Sequence, residues 1–284
     1  MISSARFANT ALRILNPFNK MQITLLVDGN APPPLQSEFG LAMWVESRAG
    51  TWIFDTGAGE ALRCNLAALG LEPEYADGVI LSHGHRDHTG GLAQLHPRRI
   101  WCTPSVGIGH YSWHADGSMH ELTLPEAARK RMAGSETMEI NGWTEFAPGW
   151  FLTGSIPRNS GEDCGGHFFH DADCSVPDEI PDEMALLSAD GVLIAGCCHA
   201  GIINTLEWCR KMCPEIRIHT VLGGLHLRNA SEERLRQTAE YLRHSALRRL
   251  LLLHCTGENA VSFLRNALPD CRIDVPQPGE RLTL

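Results

Sequence analysis

Residues 80–91 read ILSHGHRDHTGG. Within this stretch, the six consecutive positions 83–88 include His83, His85, Asp87 and His88. The apolar residues 78–81 predict a strand that runs directly into this cluster. Imidazole nitrogens and carboxylate oxygens are ligands for zinc and similar divalent cations. Three imidazoles and one carboxylate so close in the chain can face two neighbouring ions. The stretch therefore predicts a site for one or two divalent metal ions rather than a solvated polar loop.

Short apolar runs on both sides of this cluster predict strands, because many of them end in Gly, Asp or His. The predicted strands are 22–27, 41–46, 51–54, 78–81, 99–102, 150–153, 184–188, 191–195, 218–222 and 249–253. Helical patterns occupy 59–69, 201–213 and 231–246, the last with Ser231 as its N-cap. Early strands are spaced as antiparallel hairpins, whereas later ones alternate with helices. The mixture predicts an α/β (α+β) fold with two sheets packed face to face and helices outside.

The length of 284 residues allows one large domain or two small ones, and we expect one domain at residues 21–284. Of the 284 residues, 43% are hydrophobic and 20% are charged, so a core can form without disulfides or a structural metal. The net charge of −9 disfavours nucleic acid and anionic membranes as partners. No run approaches 18 apolar residues, so no membrane span is expected. The oligomeric state stays open.

The ten cysteines are widely spread, which predicts reduced thiols in a cytoplasmic protein rather than a disulfide scaffold. Cys164 and Cys174, which flank a polar loop, are the candidate exception. Residues 1–20 are basic and contain no acidic residue. We interpret them as an N-terminal extension, with an amphipathic targeting segment as the alternative. Met21 opens the first predicted strand.

Two segments outside the predicted strands are candidates for shaping a pocket. Residues 154–183 are rich in Gly, Asp, Pro and His and are expected to form a long loop near the metal site. Residues 102–142 are expected to contribute a second loop. Arg158 is a candidate anchor for a phosphate or carboxylate, because a guanidinium binds such groups bidentately. A surface arginine is the alternative.

The loop sequence H-x-H-x-D-H after a strand, preceded by residues 54–57 (FDTG), resembles the metallo-β-lactamase superfamily. The resemblance covers residues 21–262 and implies a four-layer αβ/βα sandwich with a metal site at one sheet edge. It places His83 and His85 on a first metal ion. Zinc is expected there, with Mg, Mn or Fe as alternatives.

The same resemblance assigns roles to further residues. Asp87 and His88 would bind a second metal ion, together with His254, which follows the predicted strand 249–253. Asp55 matches an aspartate that supports the loop by hydrogen bonding to the ligands. The interpretation of His254 as an ordinary histidine at a strand end is the alternative.

Seven stretches resemble a narrower subgroup, which includes the dihydropterin-methyl ribofuranosylaminobenzene 5′-phosphate synthase of methanopterin biosynthesis. In chain order they are LLVDGN, SEFGL, LSHGHRDHTGGL, LTGSIPR, GCCHAGIIN, LGGLHL and LHCTGENA. Two departures stand out. The chain reads Asp28-Gly29-Asn30 where the subgroup reads Asp-Asn, and it has Phe39 where the subgroup has a histidine. If that histidine touches substrate, the substrate of this chain differs.

The ligand set also departs from the superfamily pattern. Cys197 stands where most members have a bridging aspartate, and the stretch LTGSIPR lacks the usual third histidine of the first metal. We expect His199 to replace the missing ligand. Cys197 is either a thiolate ligand or a buried structural thiol. His226 is a candidate ligand or turn residue, and a role in contacting substrate or supporting the ligands is favoured. The eight remaining histidines are interpreted as surface or core residues: His96, His110, His114, His120, His167, His170, His219 and His244.

These residues predict an enzyme. A divalent ion lowers the pKa of a bound water from about 15.7 towards 7, which makes hydroxide available at neutral pH. Hydrolase-type chemistry on a small, phosphorylated molecule is one expectation, with Asp87 as the catalytic carboxylate. The alternative is a transferase that joins a dihydropterin-methyl diphosphate to an aminobenzene ribofuranosyl phosphate and releases diphosphate. A metal-binding sensor without catalysis is a third reading.

Overall fold

The first of two large sheets is built mainly from the N-terminal half of the chain. The computed structural model describes residues 21–114 and 116–284, so the interpretation of residues 1–20 lies outside the described residues. The strands are β1 (Gln22–Val27), β2 (Ala42–Glu46), β3 (Thr51–Phe54), β4 (Gly78–Ile80), β5 (Arg99–Cys102), β8 (Glu136–Glu139) and β17 (Arg281–Thr283). They are ordered β17-β1-β2-β3-β4-β5-β8. The run β3-β4-β5-β8 is parallel, and the other pairs are antiparallel.

The second sheet is built from the C-terminal half. Its strands are β9 (Thr144–Ala147), β10 (Trp150–Leu152), β12 (Leu186–Ser188), β13 (Val192–Ile194), β14 (Thr220–Gly223), β15 (Arg249–Leu252) and β16 (Arg272–Asp274). They are ordered β16-β15-β14-β13-β12-β10-β9. Strands β13 to β16 pair in parallel, which requires a crossover between each pair.

Helices supply these crossovers and cover the outer faces. They are α1 (Ala61–Ala68), α2 (Arg86–Thr89), α3 (Glu126–Ala133), α4 (Ile202–Met212), α5 (Glu232–Arg243) and α6 (Glu258–Ala267). In α5, the side chain of Ser231 accepts a hydrogen bond from the Arg234 N–H, which caps the helix as predicted. Its apolar residues Leu235, Ala239 and Leu242 are buried against the second sheet.

Three apolar clusters show that the protein has four layers. One cluster lies between the two sheets and includes Phe54, Ile80, Ile194, Leu222 and Leu251. A second cluster packs α4, α5 and α6 on the outer face of the second sheet. A third packs α1 and α3 on the outer face of the first sheet. The order helix, sheet, sheet, helix confirms the predicted αβ/βα sandwich.

Residues 102–142 and 154–183 were predicted to be loops, but both segments contain short strands, which corrects that expectation. A small third sheet has the order β11-β6-β7 and consists of β6 (Tyr111–Trp113), β7 (Met119–Glu121) and β11 (Phe168–Phe169). Its pairing joins the segment 102–142 to the segment 154–183, since Phe168 pairs with Ser112. The strands were missed because each has only two or three residues and lacks a buried apolar face.

The remaining structural expectations can be stated briefly. All ten predicted strands are present, with ends that differ from the prediction by at most two residues. The ten cysteines are free thiols, including Cys164 and Cys174. No helix among the described residues is long and apolar enough to cross a bilayer.

Candidate metal centre

The candidate metal ligands gather at one edge of the sandwich, where parallel strands of both sheets end. Strand β4 leads to His83 in the first sheet. In the second sheet, β13 leads to Cys197 and His199, β14 to His226, and β15 to His254. Because the carboxyl ends of parallel strands meet at one edge, side chains far apart in sequence converge there. The fold thus makes one site from four separate turns.

Glycine allows the turns to approach each other at this edge. A Cβ at Gly196 would lie 2.1 Å from Ser82 Oγ, and a Cβ at Gly84 would lie 2.2 Å from the Val106 carbonyl oxygen. Both distances are far below van der Waals contact, so only glycine lets the backbone pass.

Strained backbone also concentrates here. Four residues other than glycine have positive φ angles at this edge, namely Asp55 at 55°, Cys198 at 61°, His226 at 49° and His254 at 51°. Such conformations cost on the order of 1 to 3 kcal/mol each and persist where the surroundings enforce them, most often at functional sites.

The first group of candidate ligands consists of His83, His85 and His199. One donor atom of each lies within 4.8 Å of the other two. The ring centroids of His83 and His85 are 4.5 Å apart, and each is 4.8 Å from that of His199. The Nε2 atoms of His83 and His85 and both ring nitrogens of His199 are buried without a hydrogen-bond partner in the described part of the chain. Buried nitrogens left unpaired are costly, so their convergence fits a bound cation.

The second group consists of Asp87, His88 and His254. Their donor atoms also lie within 4.8 Å of one another. Asp87 Oδ2 is 3.2 Å from His254 Nε2 and 3.8 Å from His88 Nε2. A carboxylate with two imidazoles is a donor set that suits zinc, iron or manganese.

Cys197 lies between the two groups. Its Sγ is 3.1 Å from His88 Nε2, and together with His83 and His88 it forms a further set of donors within 4.8 Å. A second thiol, Cys255, belongs to a set with Cys197 and His254. The position of Cys197, where most superfamily members have a bridging aspartate, is compatible with a thiolate ligand as well as with a buried structural thiol.

The first group is held neutral by its surroundings. Burial lowers the pKa of His83, His85 and His199 well below the usual histidine value, and the neighbouring imidazoles lower it further. A neutral imidazole has the free lone pair that a metal ion requires. This part of the site therefore exists in its metal-binding form at neutral pH.

The second group carries charge. Burial alone would lower the pKa of His88, but Asp87 and Asp55 together raise it to about 9. Burial opposes ionisation of Asp87 as well, yet His88 and His254 outweigh it and hold the pKa of this carboxyl well below its usual range. In the absence of metal, an Asp87–His88 ion pair stabilises the pocket that a cation would enter.

Asp55 supports the loop that carries His83, His85, Asp87 and His88. Its Oδ2 is 2.7 Å from His88 Nδ1 and accepts a hydrogen bond from Ser82 Oγ, while its Oδ1 accepts one from the Ser82 N–H. Asp55 is fully buried. The contact with Nδ1 leaves His88 Nε2 facing the site, which is the supporting role that the resemblance implied.

A second support was missed from the sequence. His110 Nδ1 is 2.5 Å from Asp178 Oδ2, and its Nε2 is 3.4 Å from Asp182 Oδ2. Asp182 Oδ2 accepts the N–H of Gly84, between His83 and His85. Although burial opposes it, the hydrogen bonds that the His110 ring donates to Asp178 and Asp182 raise the pKa of His110 to about 9. His110 was interpreted as an ordinary surface or core residue, because nothing in its local sequence points to aspartates about 70 positions away.

Glu183 was also missed. Its two carboxylate oxygens accept the backbone N–H groups of His199 and Ala200, at 2.5 and 2.6 Å. Burial raises its pKa to about 7 in spite of these bonds. Glu183 fixes the turn that carries His199. Asp182 and Glu183, at the end of segment 154–183, therefore support candidate ligands on the first and the second sheet.

Aromatic side chains flank the two groups. Phe168, from the small third sheet, lies 5.1 to 5.7 Å from the rings of His85, His199 and His226. His226 is half-buried, and its ring centroid is 4.5 Å from that of His199. On the opposite side, Phe39 lies 4.6 Å from the ring of His254. His226 is thus next to the first group without belonging to it.

Arg158 is half-buried and turns towards segment 154–183, where its guanidinium donates to the Glu179 carbonyl oxygen. Its charge reaches the site, since it contributes to the lowered pKa of His199. The structure therefore brings the six predicted ligands together, and Asp55, Cys197 and His226 lie beside them. It places Arg158 at the periphery of the site.

A four-layer αβ/βα sandwich with an H-x-H-x-D-H loop at the common edge of its sheets defines a protein of the metallo-β-lactamase type. Residues 37–173 match the family model described as the metallo-beta-lactamase superfamily. The chain carries a domain of that superfamily, whose members are metal-dependent enzymes.

Relatives of known sequence and structure agree with this assignment. The chain is 28% identical to an uncharacterized protein of Methanocaldococcus jannaschii, over 85% of this chain and 93% of that one. It is 26% identical to the 7,8-dihydropterin-6-methyl-4-(beta-D-ribofuranosyl)-aminobenzene-5'-phosphate synthase of the same organism, over 80% of this chain and 84% of that one. Among solved structures, it resembles a metal-dependent hydrolase of the beta-lactamase superfamily with a TM-score of 0.81 and 26% identity, over 93% of this chain and 99% of that one.

Proposed function

We propose that this chain is a hydrolase-type enzyme with two divalent metal ions that acts on a small phosphorylated molecule. The observation that carries the proposal is the pair of donor groups, each within 4.8 Å, at the shared edge of the two sheets. The similarity to a solved metal-dependent hydrolase over nearly the whole chain supports it. Zinc is the ion that best suits a donor set rich in imidazole with a thiol nearby.

In this proposal each group holds one ion. His83, His85 and His199 hold the first, and Asp87, His88 and His254 hold the second. Cys197 would be a ligand available to either ion, because its Sγ lies beside His88 Nε2 and within 4.8 Å of a His83 donor. Binding would release the proton of His88 and the thiol proton of Cys197, since ligands bind metals in their deprotonated forms.

Divalent ions in such a site supply Lewis acidity, which brings the pKa of water towards neutrality and stabilises negative charge on a phosphoryl or carbonyl oxygen. Residues that do not bind the ions fix the positions of the ligands. Asp55 and the His110–Asp182 pair fix the loop that carries four ligands, and Glu183 fixes the turn of His199. Asp87 is the one carboxylate of the site that is partly exposed, at 16% of its side chain, so it can also orient the attacking group. Phe168 packs against His85, His199 and His226 on one side of the site.

The second candidate function is transfer of a dihydropterin-methyl group to an aminobenzene ribofuranosyl phosphate with loss of diphosphate. The specific observation in its favour is the 26% identity to the archaeal synthase over 80% of this chain. In this reaction the same ligands would hold the ions that bind the departing diphosphate. The small-molecule partner and the cytoplasmic location belong to both proposals.

One assay separates the two. The metal-loaded protein is incubated with dihydropterin-methyl diphosphate, with and without the aminobenzene acceptor, and the products are separated by chromatography. A condensation product that requires the acceptor supports transfer, whereas pterin alcohol formed at the same rate without acceptor supports hydrolysis. A parallel panel of phosphate esters and acyl esters tests hydrolysis of other substrates. The proposal of an enzyme is overturned if no substrate turns over and the His85→Ala variant gives the same background as the wild type.

A further inference from the structure

A cavity of about 980 Å³ opens beside the metal groups, and His254 is the candidate metal ligand that lines it. Its wall combines segments that are distant in the sequence, including 28–30, 37–39, 252–259 and 275–277, together with Arg228 and Arg265. Three of these segments hold stretches singled out by the subgroup resemblance: LLVDGN, SEFGL and LHCTGENA. The two departures from the subgroup, at Gly29 and Phe39, also lie on this wall. Residues that do not bind metal therefore converge on one volume next to the second metal group.

Two of the three acidic residues on the cavity wall, Glu38 and Asp28, are bonded to backbone, whereas Glu258 is exposed at the start of α6. The Glu38 carboxylate accepts four N–H groups, from residues 58–61 at the start of α1. Asp28 accepts the N–H groups of Gly29 and His254. The carboxylates of Glu38 and Asp28 are thus engaged by backbone donors.

The arginines of the cavity keep donors available. Arg228 donates from Nη2 to the His254 carbonyl oxygen, and Arg265 donates from Nε and Nη2 to the Ile273 carbonyl oxygen. A guanidinium has five N–H donors in a fork that matches phosphate and carboxylate. Both side chains are exposed on the cavity wall, so donors remain for a ligand.

His254 marks the end of the cavity that faces the metal groups. It is 92% buried, lines the cavity, and its Nδ1 has no hydrogen-bond partner in the described part of the chain. Phe39 stands next to it, 53% exposed, with its ring 4.6 Å from His254 and 5.0 Å from the Arg228 guanidinium carbon. An exposed aromatic ring between a candidate metal ligand and an arginine can bind an apolar or flat part of a ligand.

We propose that this cavity, the Arg228 cavity, is the specificity site of the enzyme and binds an oxyanionic group of the substrate, a phosphate or a carboxylate. Arg228 and Arg265 hold the oxyanion, Phe39 packs on the adjoining carbon skeleton, and the reacting atoms lie beyond His254 at the metal groups. Only the position of the reacting atoms at the metal groups rests on the proposed function. It replaces Arg158 as the anchor, since Arg158 does not line the cavity.

Binding of phenyl phosphate and of benzoate tests the proposal. Calorimetric titrations use the metal-loaded protein and the metal-free protein in the presence of a chelator. The proposal predicts binding in both forms, with Arg265→Met and Arg228→Met each weakening it by about tenfold or more, as expected for a lost charge-assisted hydrogen bond. Phe39→Ala weakens phenyl phosphate but leaves inorganic phosphate unchanged. Arg63→Met, an exposed helical arginine outside the cavity, is the matched control and binds like the wild type.

The outcomes separate this proposal from the proposed function. Tighter binding of phenyl phosphate identifies the oxyanion as phosphate, and tighter binding of benzoate identifies it as carboxylate; either supports the site. Binding that depends on the arginines in a protein that takes up no metal supports the cavity while the proposed function fails. Binding of neither probe, or unchanged affinity in both arginine variants while metal content and turnover are normal, overturns the cavity and leaves the proposed function standing.

Discussion

His88 Nδ1 lies 2.7 Å from Asp55 Oδ2, and the opposite nitrogen of the same ring lies 3.1 Å from Cys197 Sγ. One imidazole thus connects a buried carboxylate of the first sheet to a thiol of the second. Because Asp55 fixes one nitrogen, it decides the direction of the other, which is the nitrogen available to a metal ion. The relation explains why a fully buried aspartate stands at the end of β3.

Replacement of Asp55 by asparagine therefore tests the support of the second metal group. We expect the affinity for the ion bound by Asp87, His88 and His254 to fall by about 10- to 100-fold, since loss of such a partner misorients the ligand. Competition with a chromophoric chelator measures this affinity. Asp190→Asn, at an exposed position, is the control and leaves it unchanged. Equal affinities in Asp55→Asn and the wild type would contradict the role of Asp55.

Adjacent cysteines give a matched pair for the thiolate ligand. Cys197 Sγ faces His88, whereas Cys198 packs in the apolar cluster beneath α4, with its Sγ 3.5 Å from Thr205 Oγ1. In the cobalt-substituted protein we expect Cys197→Ser to abolish the thiolate-to-cobalt charge-transfer absorption, because a thiolate ligand is lost. Cys198→Ser retains it. Absorption that survives in Cys197→Ser shows that this thiol is structural.

The ion pairs of His110 predict a large effect on stability. His110→Ala leaves Asp178 and Asp182 buried without their cationic partner, so we expect the free energy of unfolding to fall by about 3 to 5 kcal/mol. His114→Ala, at an exposed position directly after β6, should change it by less than about 0.5 kcal/mol. Chemical denaturation of the metal-free proteins measures both. A change at His110 no larger than that at His114 would refute the role of His110 in fixing the loop.

Glu183 predicts a dependence of stability on pH. Burial raises its folded-state pKa from 4.5 to about 7, so the folded protein binds its proton more tightly than the unfolded chain does. The resulting stabilisation is complete below pH 4.5 and is lost as the pH rises through 7, a change of about 3 kcal/mol at 1.36 kcal/mol per pKa unit. Glu183→Gln removes this dependence. The difference in unfolding free energy between the wild type and Glu183→Gln, measured without metal, should decrease over this range; a constant difference contradicts the raised pKa.

The sequence was sufficient where local pattern determines structure. The strands that enclose the core, such as β1 and β15, are short apolar runs, and α5 combines an N-cap with an apolar face. The H-x-H-x-D-H loop is likewise local, since four candidate ligands occupy six positions. The remaining candidates, His199 and His254, could be recognised because each follows an apolar strand in a stretch that resembles a known subgroup.

What the sequence could not provide depends on contacts between distant segments. His110 meets Asp178 and Asp182 only through the small third sheet, whose strands are too short to show a pattern. Arg228 and Arg265 reach the same cavity from the turn after β14 and from α6. The expectation for Arg158 rested on residue type alone, and its position depends on the path of segment 154–183.

The metal content of the purified chain tests the central claim most directly. After reconstitution with zinc and removal of excess, mass spectrometry of the intact protein under native conditions should find two ions per wild-type chain. His85→Ala and His254→Ala should each retain one, because each removes a ligand from only one group, while His244→Ala, at an exposed position, retains two. A wild-type chain that holds no ion, or variants that hold as many ions as the wild type, would contradict the account.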